Sequence, residues 1–255
     1  MEIYQIIILI IATIGSAIIK NGVGIGSGIF LLPLLALVFP PKIALGIGAP
    51  VMLISDLIGI KSYWGEWDKK ELLLMLPAAF VGILAGGYFI NIIPNSIFIC
   101  FIAVFAIGFS SYQIIKTSKS YFSNANKKKS LKTQISNPIL SGIFGFLGGI
   151  ASVLAHSGGL IMSIYLLQKR YNQRAFVGTL VFFFAATNSL KILTYFKIGI
   201  LSKDSFFIIV VVSPFIILGA LLGNYLNQKI PQEPFKILIL IIIFIVGIRL
   251  LISSQ

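Results

Sequence analysis

Cysteine, histidine and acidic residues are scarce in this chain of 255 residues. One Cys, one His and seven Asp or Glu stand against twenty Lys or Arg. Cys100 alone can form neither an intramolecular disulfide nor a cysteine-based metal site, and His156 alone cannot build the usual multi-ligand metal site. No metal or other cofactor is therefore expected. Charge of either sign is rare: Asp, Glu, Lys and Arg make up 11% of the residues, where a soluble domain carries roughly 25%. That scarcity excludes an ordinary soluble fold. A secretory signal peptide is not expected either, because Met1-Glu2-Ile3 lacks a basic start and no small-residue cleavage site follows the first apolar run.

What fills the space is hydrocarbon. The chain is 58% hydrophobic, with a mean hydropathy of +1.02. Several apolar runs reach the roughly 20 residues that one helical crossing requires. A membrane β-barrel would show short alternating segments instead. The fold class expected is an all-α polytopic membrane protein. The net charge of +13 does not point to nucleic acid, because the basic residues lie mostly in short loops between apolar runs, as the positive-inside rule distributes them.

One stretch breaks the pattern. Lys20-Asn21-Gly22-Val23-Gly24-Ile25-Gly26-Ser27-Gly28 interrupts an apolar run from Ile3 to Phe39. That run is too long for one crossing, and lipid cannot satisfy the bare backbone of a break. The expected structure is a helix, an unwound turn facing protein or a water-filled cavity, and a second helix. Ala155-His156-Ser157-Gly158-Gly159 is a second, less glycine-rich copy. Paired broken segments in corresponding halves are the best sequence pointer to a transporter binding site.

In chain order, ten full or half segments are expected: about 3–19, 26–39, 43–63, 72–92, 96–115, 138–154, 158–167, 174–196, 205–226 and 235–252. This amounts to about eight to ten membrane segments, with a broken or re-entrant helix pair near the start of each half. Tyr63, Trp64 and Trp67 among Glu66, Asp68, Lys69, Lys70 and Glu71 resemble an aromatic belt at the water boundary. Residues 116–136 hold six lysines and no acidic residue, and read as a cytoplasmic linker; anionic lipid heads are a second use for it. The division is thus 1–115, first transmembrane repeat; 116–136, basic linker; 137–255, second transmembrane repeat.

The repeat has residue-level support. Pro77, Gly82, Gly86 and Pro94 recur as Pro214, Gly219, Gly223 and Pro231, each 137 positions later. If each broken pair is a hairpin, each half crosses an odd number of times and the halves are inverted. Lys69, Lys70, the six linker lysines, Lys169, Arg170, Arg174, Lys229 and Lys236 then share one side, leaving Lys42, Lys197, Lys203 and Arg249 on the other. Parallel halves would scatter this set, so inversion fits the positive-inside rule better.

The candidate substrate-binding residues lie at the breaks. Asn21, Gly22, Gly24, Gly26, Ser27 and Gly28 form the first, and His156, Ser157, Gly158 and Gly159 the second. Helix N-termini there would offer unpaired amide donors and partial positive charge to an anion, and glycine admits close approach. The competing reading is tight packing through small residues. Packing is preferred for Gly82-x-x-x-Gly86 and Gly219-x-x-x-Gly223.

Ionisable residues inside the membrane are functional candidates by default. Asn188 and Lys191 share one helix face with Tyr195. Lys191 could hold a small anion or snorkel to the interface. Asp56 could carry a coupling proton or pair with a lysine of the bundle. His156 could donate into the second turn or simply pack. With Ser157 it could also suggest a hydrolase. Neighbours in sequence do not face each other on a helix, however, and no Gly-x-Ser-x-Gly elbow is present.

The motif Gly24-Ile25-Gly26-Ser27-Gly28 with Pro33 resembles the Gly-x-Gly-Gly-Gly…Pro signature of the TauE/SafE family of sulfite exporters. Length, duplication, the basic central loop and the repeated Pro and Gly positions are similar as well. Ser27 stands where the family has glycine, and Ala155, Ser157 and Ile164 where glycine, glycine and proline are expected. The resemblance implies a non-enzymatic secondary transporter of sulfite, organosulfonates or related short organic acids. It also implies the cytoplasmic membrane of a prokaryote, a small anion and the lipid bilayer as partners, proton coupling, and no nucleic acid. An anion channel and, more remotely, an intramembrane Ser/His hydrolase are the alternatives.

Overall fold

The computed structural model describes residues 2–22, 26–122, 137–169, 171–226 and 232–253. Among them are ten helices: α1 (Ile3–Gly22), α2 (Ser27–Ala36), α3 (Pro41–Ser62), α4 (Lys69–Ile92), α5 (Asn95–Phe122), α6 (Pro138–Ala155), α7 (Gly158–Leu166), α8 (Gln173–Lys197), α9 (Lys203–Leu226) and α10 (Gln232–Ser253). Seven of these are long and apolar enough to cross a membrane. The protein is an all-helical, multi-pass membrane protein.

Local chemistry sets several helix ends. Pro41 and Pro138 open α3 and α6, where a missing N–H costs nothing. Asp68 caps α4 by accepting from the Glu71 N–H at 3.0 Å. Asn137 and Asn172 cap α6 and α8 in the same way. Several ends differ from expectation by three residues or more: α2 stops at Ala36, and α4 and α10 start at Lys69 and Gln232. Helix α1 continues through Lys20 and Asn21 to Gly22, so those residues are helical rather than part of the turn. Helix α5 runs seven residues past Ile115, taking the start of the expected linker into helix.

The two short helices are placed differently. At about 1.5 Å per residue, neither α2 nor α7 could cross a bilayer alone. Every residue of α2 is buried, wrapped by α1, α3, α5 and α10. Helix α7 packs mainly on α6 and α8, and its Ile164 faces outward. Leucines and phenylalanines such as Leu73 and Phe207 cover the outer surface, as a lipid-facing wall requires.

Small residues bring the long helices together. A side chain on Gly82 or Gly149 would strike the Phe146 or Ala79 carbonyl, which locks α4 against α6. Gly219 and Gly223 meet Ile14 and Ile18 in the same way, locking α9 against α1. Helices α3 and α8 cross in opposite senses. Arg174 bonds to Glu66 and to the Ser62 carbonyl at one end, and Gly46 abuts Ile200 at the other.

Candidate functional site

Both broken segments are interrupted, and their breaks touch. Helix α2 begins after Gly26, whose φ of 94° is left-handed backbone that favours glycine. Helix α6 ends at His156, also left-handed at φ 49°, before α7 starts beyond Ser157. Only hydrogen fits at Gly28: a Cβ there would lie 2.2 Å from the His156 carbonyl oxygen. The N-termini of α2 and α7 therefore converge on one place. Neither has a side-chain cap, so their first amides keep their donor capacity.

A cavity of about 30 Å³ lies between them, room for a water or two. Gly26, Ser27, Gly28, His156, Ser157, Gly159, Asn188 and Lys191 line it, together with Lys20, Met52, Ser152 and Phe184. The structure thus gathers eight of the residues singled out from sequence. Three others do not reach it. Asn21 turns to Ser55 and the Ala17 carbonyl. Gly22 packs on Gly223 of α9, and Gly158 on Gly148 and Ser152 of α6. These three are contact positions of the helix framework. Gly24 lies outside the described residues.

The polar network around the cavity is buried apart from the half-buried Lys20. The Lys20 ammonium pairs with Asp56 Oδ1 at 2.6 Å. It also donates to the Met52 carbonyl at 3.2 Å and sits 5.4 Å from the Phe184 ring centre, a cation–π distance. Asn188 Nδ2 donates to Asp56 Oδ2 at 2.6 Å. Asp56 is therefore held from two sides and stands behind the cavity wall rather than in it.

Lys191 is only 1% exposed, which rules out snorkelling. Its Nζ lies 2.8 Å from His156 Nδ1 and 3.3 Å from the Ser152 carbonyl. As an ammonium it donates to both, which makes Nδ1 an acceptor and places the imidazole proton on Nε2. No carboxylate pairs with Lys191 among the described residues. His156 Nε2 is buried against Gly48 without a hydrogen-bond partner; the Leu45 carbonyl is near but outside bonding geometry. The Ser157 hydroxyl donates to the Ala151 carbonyl at 3.1 Å, so it is not engaged by His156. Ser27 Oγ has only a weak contact, 3.7 Å to Met52 Sδ.

A second polar cluster, not anticipated from sequence, lies at one end of the bundle. Glu71 is 1% exposed, although it follows residues read as a water boundary. Its carboxylate accepts from Ser141 at 2.5 Å and Tyr165 at 2.7 Å and pairs with Lys169. Nearby, Tyr171 donates to Asp68 at 2.7 Å. Partial burial pushes the Asp68 carboxyl up, but the hydrogen bonds from Tyr171 and the Glu71 and Lys70 amides outweigh it and hold the group below its ordinary value. Burial and the Asp68 partner both raise the Tyr171 phenol. For Lys169, burial is outweighed by Glu71, so its ammonium is held above its usual range.

Lys20 is the central residue that sequence reasoning left out of the site. A signal for it existed: Asp56, deep in an apolar helix, demands a cation, and Lys20 is another charge inside a membrane segment. Glu71 had no comparable signal, since its neighbours Asp68, Lys69 and Lys70 are those of an interfacial loop.

A multi-pass helical protein in which two interrupted segments meet at a polar cavity has an arrangement found in membrane transporters. The chain matches the family model described as Sulfite exporter TauE/SafE over residues 8–250. It belongs to that family, a family of transporter-type membrane proteins. No curated protein and no solved structure matches it.

Proposed function

We propose that this protein is a secondary transporter of small anions such as sulfite, organosulfonates or related short organic acids. In this reading the guest binds between the two helix breaks, and access alternates as one half rocks against the other. The observation that carries it is Lys191: a fully buried lysine without a paired carboxylate among the described residues, at the edge of a cavity on which two uncapped helix N-termini converge. An isolated charge in this setting is costly, and an anionic guest supplies what is missing.

The two-unit division into 1–115 and 137–255, with inverted halves, belongs to the same proposal. Its support is geometric. Arg174 and Lys169 meet Glu66 and Glu71 at one end, as inversion requires, and α3 and α8, third in their respective halves, run in opposite senses. The linker would then face the cytoplasm of a prokaryotic cell, and rocking would open the site to each side in turn. The hydrolase alternative loses ground because Ser157 is bonded to a carbonyl and not to His156.

The test is a thermal-shift screen of the purified protein against sulfite, sulfate, thiosulfate, taurine, sulfoacetate and short carboxylates, followed by flux into vesicles. A ligand that binds only the folded form raises the melting temperature. Stabilisation by a sulfur oxyanion, with saturable and gradient-coupled flux, is expected. Non-saturating flux would instead indicate a channel. No stabilisation by any of these anions would overturn the proposal.

A further inference from the structure

The charges around the cavity can be counted, and the count is uneven. Counted in their ionised forms, Lys20 and Lys191 bring two ammonium groups and Asp56 one carboxylate, already bonded to Lys20 at 2.6 Å. His156 is neutral while its Nδ1 accepts from Lys191. Asp56 is faced by Lys20 from α1 and by Asn188 and Lys191 from α8, while His156 of the α6–α7 break faces Lys191. Helix α2 carries no ionisable residue, nor does α9 from Ser205 to Asn224. On α5, Cys100, Tyr112 and Lys116 point outward, as does Lys61 of α3. Counted so, the site holds one positive charge in excess among the described residues, in surroundings where net charge is strongly penalised.

We infer that the Lys20–Asp56 pair sets the charge class of the guest. With Asp56 ionised, one singly charged anion leaves the site neutral. A doubly charged anion leaves it neutral only when a proton sits on Asp56, which frees Lys20 to act as a second cation. The proton comes from solvent and stays on Asp56 while the dianion is bound, so charge balances. Lys20 is thus a specificity-determining residue, acting through its carboxylate partner. The inference rests on the anion-site reading above.

Two probes of fixed valence test it: methanesulfonate, a monoanion, and sulfate, a dianion, each titrated calorimetrically into the purified protein at pH 8. The native protein is expected to prefer methanesulfonate. Asp56→Asn leaves two free ammonium groups and should shift the affinity ratio toward sulfate by about tenfold or more. The double variant Lys20→Met with Asp56→Asn removes the pair as a unit and should restore the native preference. An unchanged ratio in Asp56→Asn overturns the inference.

Should the single variant not fold, binding heats of the native protein in buffers of different ionisation enthalpy decide the matter. Sulfate should take up one proton per site and methanesulfonate none. Sulfate binding without proton uptake overturns the valence rule. These failures are distinct from failure of the transporter reading, in which neither anion would bind the native protein at all.

Discussion

The protein holds two clusters of charge, and they are built on opposite principles. At the rim, Glu71 and Asp68 are surrounded by donors: Ser141, Tyr165 and Lys169 on one, Tyr171 and backbone amides on the other. Each carboxylate finds its complement within the chain, and the cluster ties the start of α4 to α6, α7 and the α7–α8 connection. In the middle of the bundle, the one aspartate bonds Lys20 and leaves Lys191 without a paired carboxylate, and His156 Nε2 is left without a partner among the described residues. A self-satisfied cluster stabilises the fold. An unsatisfied one, lined by uncapped helix ends, keeps donor capacity that the fold does not use, which is what the proposed guest would take up.

Four expectations sharpen or break that contrast. The largest concerns Lys191→Met. Removing the buried cation should weaken anion binding by about 4 kcal/mol, roughly a thousandfold, while the ligand-free protein melts no lower than the native one. Thermal melts with and without the stabilising anion check both halves; a large drop in the ligand-free melting temperature would make the central cluster structural as well. Glu71→Gln should behave in the reverse manner. Leaving Lys169 without its carboxylate at a partly buried position should cost about 3 kcal/mol of stability, read as a lower melting temperature in detergent, with anion affinity retained. Loss of affinity at constant stability would break the comparison.

Smaller effects follow. Gly26→Ala places a Cβ where the surroundings are open but φ is 94°, so the penalty is conformational, about 1 kcal/mol. Stability should fall by that amount, with anion affinity weakened through displacement of the α2 N-terminus. Asp68 gives the smallest signal. Its folded-state value lies below the ordinary 3.8, so its contribution is fully present above pH 3.8 and is lost as pH falls below it. Asp68→Asn should flatten the acid limb of a melting-temperature profile and leave the profile at neutral pH displaced by a constant amount.

Much of the architecture was legible in the residues alone. The apolar runs announced the helices. Gly26 and Ser157 fell where helices restart, because a break inside lipid needs residues that tolerate special backbone and satisfy it. The small-residue spacings of α4 and α9 indicated close packing, and both pack closely. Family membership was also readable, since the interrupted motif and the repeated Pro and Gly positions are local features.

What could not be read were the partners. Asn21, Gly22 and Gly158 belong by sequence to the breaks, yet a rotation of one helical position turns each toward a neighbouring helix instead of the cavity. Glu71 sits in an interfacial run but is enclosed by Tyr165 and Ser141, which approach from another part of the chain. Lys20 meets Asp56 across 36 positions, and Asn188 reaches the same carboxylate across 132. Periodicity and composition act over a few turns of helix, so they determined which segments would be helical, where they would break and which charges would be stranded in the apolar interior. Which of those charges pair with one another, and which is left without a paired carboxylate among the described residues, was decided only when the helices packed, because pairing depends on distances that no local pattern contains.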